Sequence, residues 1–404
     1  MVTDEARTGV EKPDTVIVGG GLAGLSTGIA LAESGIDTAI IESRRKANAD
    51  IFGFLLWPPG TRTLRWLGVL PEALRNGAEL ESLAWFVVGK KHTWMNVDLA
   101  ELDAGTFLGI RPSRLESILR EAALAAGVRI YDSVDDWSLR REHAAWTMRL
   151  QREDGPVDLR TPLLIGADGS GSRLRSELGL TSSRWQPRGQ VIVTGVGGPL
   201  PEQGSRQALS AAGSGGCVSL GEKASWLYTV AQESDVSDPG SALRDYAHLD
   251  SLDATYATAF DQVERTAVVR PWTVTVPRWS TDGAMLMGDA AHGMLPHLGL
   301  GGSLTLEDVP LLSEVVEEAV RTGDFCAPRL SAFQQRRQAR TAYAQRTSNQ
   351  WARVLCSTTP GARTARDLAM RRMARNMELA QRFYRELASP SGPSLGTRMR
   401  MMMP

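Results

Sequence analysis

Apolar positions along this chain of 404 residues fall into distinct patterns, and each predicts a different element. Short unbroken runs predict strands buried on both faces of a parallel sheet: Val16, Ile17 and Val18, then 38–41, 163–165 and 285–287. Alternation of apolar and polar residues over 137–150 and 155–159 predicts the strands of a meander. Clusters of aromatic and β-branched residues predict further strands over 80–97, 191–193 and 226–230, the last two separated from each other by Gly-rich turns. Apolar residues three and four apart predict helices. Over 110–126, Leu115, Ile118, Leu119 and Ala122 share one face, Pro112 and Ser113 open the helix and Gly127 closes it. A helix start is expected at Thr61, after the apolar stretch 53–59 that stops at Pro58 and Pro59. Further helices are expected over 241–259, 304–321, 329–356 and 362–388. In the last, Met370, Met373, Met377, Ala380, Tyr384 and Leu387 form one stripe, which fits packing on its own domain or a homodimer contact.

The stretch 15–42 carries the first chemical signal. Gly19, Gly21 and Gly24 complete G-x-G-x-x-G directly after the first apolar run, and an Ala- and Leu-rich helix follows. Gly19 permits a tight turn, Gly21 lets backbone approach a pyrophosphate, and Gly24 lets helix pack on strand. Free N–H groups at the helix start suit phosphate oxygens. Glu42 ends the second strand at the distance expected for an acid that binds ribose hydroxyls. Strand, turn, helix, strand and acid in register point to dinucleotide binding. Leu22 and Ala23 lie in the same turn, and Arg44 brings positive charge near the expected adenosine site.

Composition narrows the class. Apolar content of 42% and charged content of 23% are those of a soluble globular protein. A net charge of −1 leaves no positive excess for displacing counterions from nucleic acid. Cys217, Cys326 and Cys356 are far apart, and reduced thiols in a cytosolic protein are expected. No apolar run approaches the ~20 residues that span a bilayer, and the first residues show no apolar core of a signal peptide. A cytoplasmic location follows as the expectation.

Three separated motifs then line up with one family. The segment VGGGLAG with Glu42, the segment GADGSGSRLR (166–175) and the segment GDAAHGMLPHLGLGGSLTLEDV (288–309) resemble the motifs of FAD-dependent monooxygenases related to p-hydroxybenzoate hydroxylase, the single-component aromatic hydroxylases. Their order and spacing fit as well, over roughly residues 14–350. The resemblance implies an α/β fold: a Rossmann-like FAD-binding domain with a parallel sheet, an inserted, mainly antiparallel substrate domain, and C-terminal helices. The expected division is 1–78, 110–183 and 276–350 for the FAD-binding domain, 79–109 and 184–275 for the substrate lobe, 351–388 for the helices and 389–404 for a tail.

The resemblance also implies roles. Asp289 would bond the FAD ribityl chain or ribose, and Asp168 would sit near the pyrophosphate. Leu300, Gly301 and Gly302 would present backbone to the flavin ring edge, with Pro296 beside the ring. Arg111 resembles a helix-start arginine that contacts the cofactor in some relatives. His297 is the candidate catalytic side chain, against a structural role for the same residue; His292 reads as structural. The family usually shows G-Q-G-x-N, whereas this chain has Gly299, Leu300, Gly301, Gly302 and Ser303, without either amide.

The implied activity is hydroxylation or epoxidation of an apolar, aromatic or polycyclic small molecule of specialised metabolism. NAD(P)H (NADPH or NADH) would be the transient reductant and O2 the oxidant, through a flavin hydroperoxide. No metal, nucleic acid or membrane insertion is expected. Leu300 and Ser303 motivate an alternative in which FAD is structural and the pocket performs a non-redox cyclisation or rearrangement. A flavin halogenase is disfavoured: its W-x-W-x-x-I segment is absent and the lysines, Lys12, Lys46, Lys90, Lys91 and Lys223, include none near such a motif. Phe54, Trp57, Trp226, Tyr228 and Trp272 would suit a flat apolar substrate, and core packing explains them as well.

Overall fold

In the computed structural model the short apolar runs meet in one parallel sheet. The structure describes residues 10–43, 50–87, 93–209, 214–248, 254–263, 265–355 and 375–389, with Gly361, Thr364, Arg366 and Leu368 as single positions. The sheet has six strands in the order Ser280–Thr281, Ala284–Leu286, Leu163–Gly166, Thr15–Val18, Thr38–Ile41, Arg129–Tyr131. All neighbours are parallel except the short edge pair. Thr15–Val18 lies between Leu163–Gly166 and Thr38–Ile41, with Val16 opposite Leu164 and Ala39. Each of its four residues is buried, which is why its sequence shows no alternation.

Helix Leu22–Glu33 covers this sheet, and glycine sets how closely it lies. A Cβ on Gly24 would stand 1.8 Å from the Gly19 carbonyl oxygen. Ile17, Leu25, Ile29, Leu31 and Ile40 then join a core that continues into helix Pro112–Ala125 and helix Gly301–Thr322.

The second layer of structure is a seven-stranded, mainly antiparallel sheet. Its order is Arg265–Val269, Gln190–Gly197, Ser225–Gln232, Ser214–Ser219, Gly204–Leu209, Ser82–Val87, Thr93–Asp98. The early hairpin therefore joins strands more than a hundred residues later in the chain, through one parallel pairing that sets Trp85 opposite Gln207. A separate antiparallel meander, Asp136–Glu142, Ala145–Gln151 and Val157–Thr161, packs on the parallel sheet through Trp137, Trp146 and Met148. Small strands Phe54–Leu56, Leu108–Ile110 and Ala78–Glu79 form a further three-stranded sheet.

The observed α/β architecture is the expected fold class, with several local differences. The helix expected from Thr61 begins at Pro58, with Trp57 as its N-cap. Proline in the first turn gives up no hydrogen bond, because N–H groups there have no partner within the helix. The helix expected from residue 304 begins at Gly301. The pattern 241–259 divides into Pro239–His248 and Ala254–Asp261, with 249–253 outside the described residues. Helix Ala327–Leu355 runs uninterrupted across residue 350, where a domain division was expected, because no glycine or proline breaks it there. Helix Met377–Leu387 follows, with Ala380, Tyr384 and Leu387 buried against the molecule's own core and Met377 half-buried beside it. Met370, Met373 and the tail beyond residue 389 lie outside the described residues. Among the described residues, no helix is long and apolar enough to cross a membrane.

Candidate functional site

Three adjacent strands of the parallel sheet end on the same side, and each ends in one of the three motifs. Thr15–Val18 runs into Gly19, Leu163–Gly166 into Ala167, and Ala284–Leu286 into Met287 and Gly288. Backbone bonds tie these turns together: Gly19 donates to the Ile41 carbonyl, Ala167 to Val18 and Met287 to Gly166. Gly19 has φ +113°, and a Cβ there would stand 2.4 Å from the Ala167 carbonyl oxygen. Glycine is therefore required twice over, by conformation and by space.

A cavity of 380 Å³ opens beyond these strand ends. Gly21, Leu22 and Ala23 line it at one helix start, and Gly301, Gly302 and Thr305 line it at another. Neither helix start carries a side-chain cap. Two sets of unpaired N–H groups and two positive dipole ends therefore converge on one space. A pyrophosphate at one and an electron-rich ring edge at the other match that arrangement.

Sequence-expected residues divide around this cavity. Gly21, Leu22, Ala23, Asp289, Pro296, Gly301 and Gly302 line it. Asp289 opens onto the cleft yet has dense protein around it. The loss of solvent raises its carboxyl above the ordinary range, against a lowering by His292, with Asp308 adding to the rise. Glu42 is buried, and its carboxylate accepts the Gly20 N–H at 2.8 Å, which pins the glycine turn. Asp168 turns away: its two oxygens accept from the Ser172 hydroxyl and the Leu174 N–H, anchoring helix Arg173–Glu177. Its neighbours Ala167 and Gly169 face the cavity instead. Arg111 is the N-cap of helix Pro112–Ala125 and is half-buried. Arg44 lies outside the described residues.

Leu300 and Ser303, the departures from the family pattern, do not line the cavity. Leu300 is fully buried in the core beneath it. Ser303 accepts the Trp57 N–H through its hydroxyl at 2.8 Å, in the place where helix Pro58–Trp66 lies flush on helix Gly301–Thr322. A Cβ on Gly60 would stand 2.9 Å from the Ser303 Cα, so this contact is close-packed.

Beneath the loop 288–302 sits a buried ionic network. Asp308 is completely buried and accepts from Gly288 N–H at 2.9 Å and Arg337 Nε at 2.8 Å, and it bonds His292 Nε2 at 2.7 Å. Burial alone would raise its carboxyl, but His292 and Arg337 hold it below the ordinary range. Arg337 also bonds Glu307 and the Leu304 carbonyl. His292, read from the sequence as structural, is buried with its Nε2 bonded to Asp308 in this network. Asp308, Arg337 and Arg175, which bonds the Ala290 and Ser170 carbonyls, were not expected to shape the site. A charge on each of two helices gave no signal until packing brought them together.

A second chamber of 80 Å³ adjoins the first, and Leu55, Ile192, Trp226, Pro296 and Gly299 line both. Its wall is aromatic. Trp57 stacks on Tyr384 with ring centres 6.0 Å apart, Tyr384 accepts the Trp85 indole N–H at 2.7 Å, and Trp226 lies 4.8 Å from Tyr228. The Trp226 indole donates to Thr194, whose hydroxyl donates to the Ile51 carbonyl, so the ring between the two spaces is held in place. Burial raises the Tyr384 hydroxyl well above its usual range, which keeps it protonated. His297 lies on the chamber wall, and burial pushes its imidazole down to about 4. Of the aromatic residues expected here, Trp57, Trp226 and Tyr228 line the chamber and Phe54 the larger cavity. Trp272 instead packs on the core beneath the Arg184 guanidinium. Trp351, Phe383 and Tyr384 arrive from the C-terminal helices and were missed as pocket residues.

Comparison with known proteins bears on this geometry. The sequence profile of the FAD binding domain family matches residues 12–348. A 6-methylpretetramide 4-monooxygenase of Streptomyces rimosus is 26% identical over 369 residues, covering 85% of each chain. A 6-hydroxynicotinate 3-monooxygenase of Bordetella bronchiseptica is 24% identical, over 85% of this chain and 93% of the relative. Among solved structures, p-nitrophenol 4-monooxygenase from Pseudomonas putida superposes with a TM-score of 0.80 at 18% identity, covering 96% of this chain and all (100%) of the other. A probable FAD-dependent monooxygenase from Pseudomonas aeruginosa superposes with a TM-score of 0.76 at 22% identity, over 86% and 98%.

Proposed function

The chain belongs to the FAD binding domain family of flavin-dependent monooxygenases, and from that premise we propose that it hydroxylates or epoxidises a flat, largely apolar aromatic substrate, using NAD(P)H and O2. The observation that carries this reading is the pair of adjoining spaces. One is lined by two uncapped helix starts; the other is aromatic and shares a wall with it.

The residues present fit FAD. Gly21, Leu22 and Ala23 would hold the pyrophosphate through backbone N–H groups, and Asp289 would accept from a sugar or ribityl hydroxyl. Gly301 and Gly302 would face the electron-rich edge of the ring, with Pro296 between the two spaces. When bound, the flavin supplies electron transfer from the nicotinamide donor and activation of O2. The protein's own part is to bind, orient and keep water out. Trp57, Trp226 and Tyr384 give a rigid apolar wall, because each ring is fixed by a hydrogen bond at its polar end. His297, neutral at physiological pH, would serve as a hydrogen-bonding side chain on the chamber wall and not as a cation.

The non-redox alternative rested on Leu300 and Ser303. Both side chains are committed to packing or to a backbone bond away from the cavity wall, so neither favours that alternative. The test is direct. Gently purified protein should be yellow and should oxidise NAD(P)H and consume O2 together when an aromatic substrate is added. Colourless protein that gains no flavin on reconstitution would overturn the reading.

A further inference from the structure

The chamber has polar groups at its inner end, and among the described residues none of its lining groups is a lysine, arginine or carboxylate. Ser205 and Gln207 are two apart on strand Gly204–Leu209, so they share one face. Ser214 lies on the next strand, opposite Leu209 of that same face. All three line the chamber and none lines the larger cavity, which puts them at the end remote from the glycine turns. Ser214 is 1% exposed, and among the described residues its hydroxyl has no hydrogen-bond partner. Buried hydroxyls are rarely left alone, so this one is placed for a partner that enters the chamber. Between Gln207 and Tyr228 the sheet carries Gly216, where a Cβ would stand 3.1 Å from the Tyr228 hydroxyl oxygen. Glycine at this position lets the Tyr228 ring lie close across the strand, with its hydroxyl beside the backbone of Gln207.

Charge is turned outward from the same strand. Arg206, between Ser205 and Gln207, places its guanidinium 3.8 Å from the centre of the Tyr256 ring on the other face. His297, on the chamber wall, is kept neutral by burial. An ionised carboxylate in this chamber would lose its hydration and gain no counter-charge from the described lining residues, whereas a neutral amide, carbonyl or hydroxyl would gain bonds to Gln207 and Ser214.

We propose that the chamber selects neutral, hydrogen-bonding aromatic substrates over their carboxylate counterparts, and that Gln207 and Ser214 read the polar substituent. The proposal rests on the monooxygenase reading for the identity of the site, and its test is a binding measurement that stands apart from turnover. The probes are phenol and the isosteric pair 4-hydroxybenzamide and 4-hydroxybenzoate, titrated by calorimetry into the FAD-loaded full chain. The amide should bind about tenfold or more tightly than the benzoate. Gln207→Leu and Ser214→Ala should each lower the amide-to-phenol affinity ratio about fivefold. Gln207→Arg supplies the missing cation and should turn the preference towards the benzoate. Equal or tighter benzoate binding by the unaltered protein would overturn the proposal, as would variants that weaken amide and phenol alike. Flavin retention and substrate-stimulated NAD(P)H oxidation, recorded on the same preparation, report separately on the monooxygenase reading.

Discussion

The two ends of the site are built in opposite ways. At the glycine turn, one contiguous stretch supplies backbone: Gly21, Leu22 and Ala23 face the cavity, and Gly20 is pinned by Glu42 from the neighbouring strand. At the chamber, side chains arrive from segments far apart in the chain, among them Trp57, Trp85, Gln207, Trp226, Trp351 and Tyr384. Backbone recognition of a phosphate depends on turn geometry, which a short motif can specify. Side-chain recognition of a small molecule depends on tertiary packing, which no short motif specifies. The first end should therefore fail abruptly when its backbone is disturbed, and the second should change preference by degrees.

The largest effect is expected at Gly24. An alanine there would place its Cβ 1.8 Å from the Gly19 carbonyl oxygen, a backbone atom that cannot swing aside as a side chain would. Gly24→Ala should cost more than about 4 kcal/mol and abolish flavin retention. Gly35 is the control: its φ is +78° with nothing within 4 Å of a Cβ, so Gly35→Ala should cost about 1 kcal/mol and leave flavin content intact. Chemical denaturation and the flavin-to-protein absorbance ratio measure both. Comparable losses at the two positions would break the contrast.

Next comes Asp308, which supports the floor between the two ends. Removing its carboxylate would strand Arg337 in the interior, with Glu307 as its remaining ionic partner, and free the Gly288 N–H. Asp308→Ala should cost about 3–5 kcal/mol by denaturant midpoint. A cost below about 1 kcal/mol would show that the network is not what positions the loop.

His297 should make stability depend on pH. Its folded form is held near 4 against an ordinary 6.5, so burial favours the neutral ring. Above pH 6.5 both folded and unfolded forms are neutral and the contribution is fully present. As pH falls through 6.5 the unfolded form takes up the proton first, and stability drains away until the folded form protonates near 4. The loss should be on the order of 2 kcal/mol, discounted because the ring is partly open to the chamber. Comparing urea midpoints across that window, His297→Gln should show a shallower fall than the unaltered protein; parallel curves would refute the assignment.

The smallest effect is expected at Tyr384. Tyr384→Phe takes away the acceptor of the Trp85 indole N–H and should cost about 1 kcal/mol. Steady-state kinetics should show KM for the aromatic substrate rising while flavin content holds. A loss of flavin instead would join the two ends that the structure keeps apart.

The same contrast explains what could be read from sequence. Gly19, Gly21, Gly24 and the buried strand runs were legible because local geometry fixes them, and the fold class followed from the family resemblance that the three motifs carry. Asp168 was placed at the cofactor by its motif, yet its oxygens are taken up by Ser172 and Leu174, a competition that only the local helix start reveals. Ser303 likewise belongs to a helix contact with Trp57. Tyr384 read as an ordinary member of a helical stripe, and Trp351 fell within an expected helix with nothing to single it out. They became chamber walls because the C-terminal helices fold back onto the antiparallel sheet, a long-range event with no local code.

The monooxygenase account is tested most directly by the mass of the product formed under isotopically heavy O2. The account predicts one heavy oxygen atom in the product, formed only when NAD(P)H is present. A product of unchanged mass, formed anaerobically without reductant by the FAD-loaded protein, would contradict it.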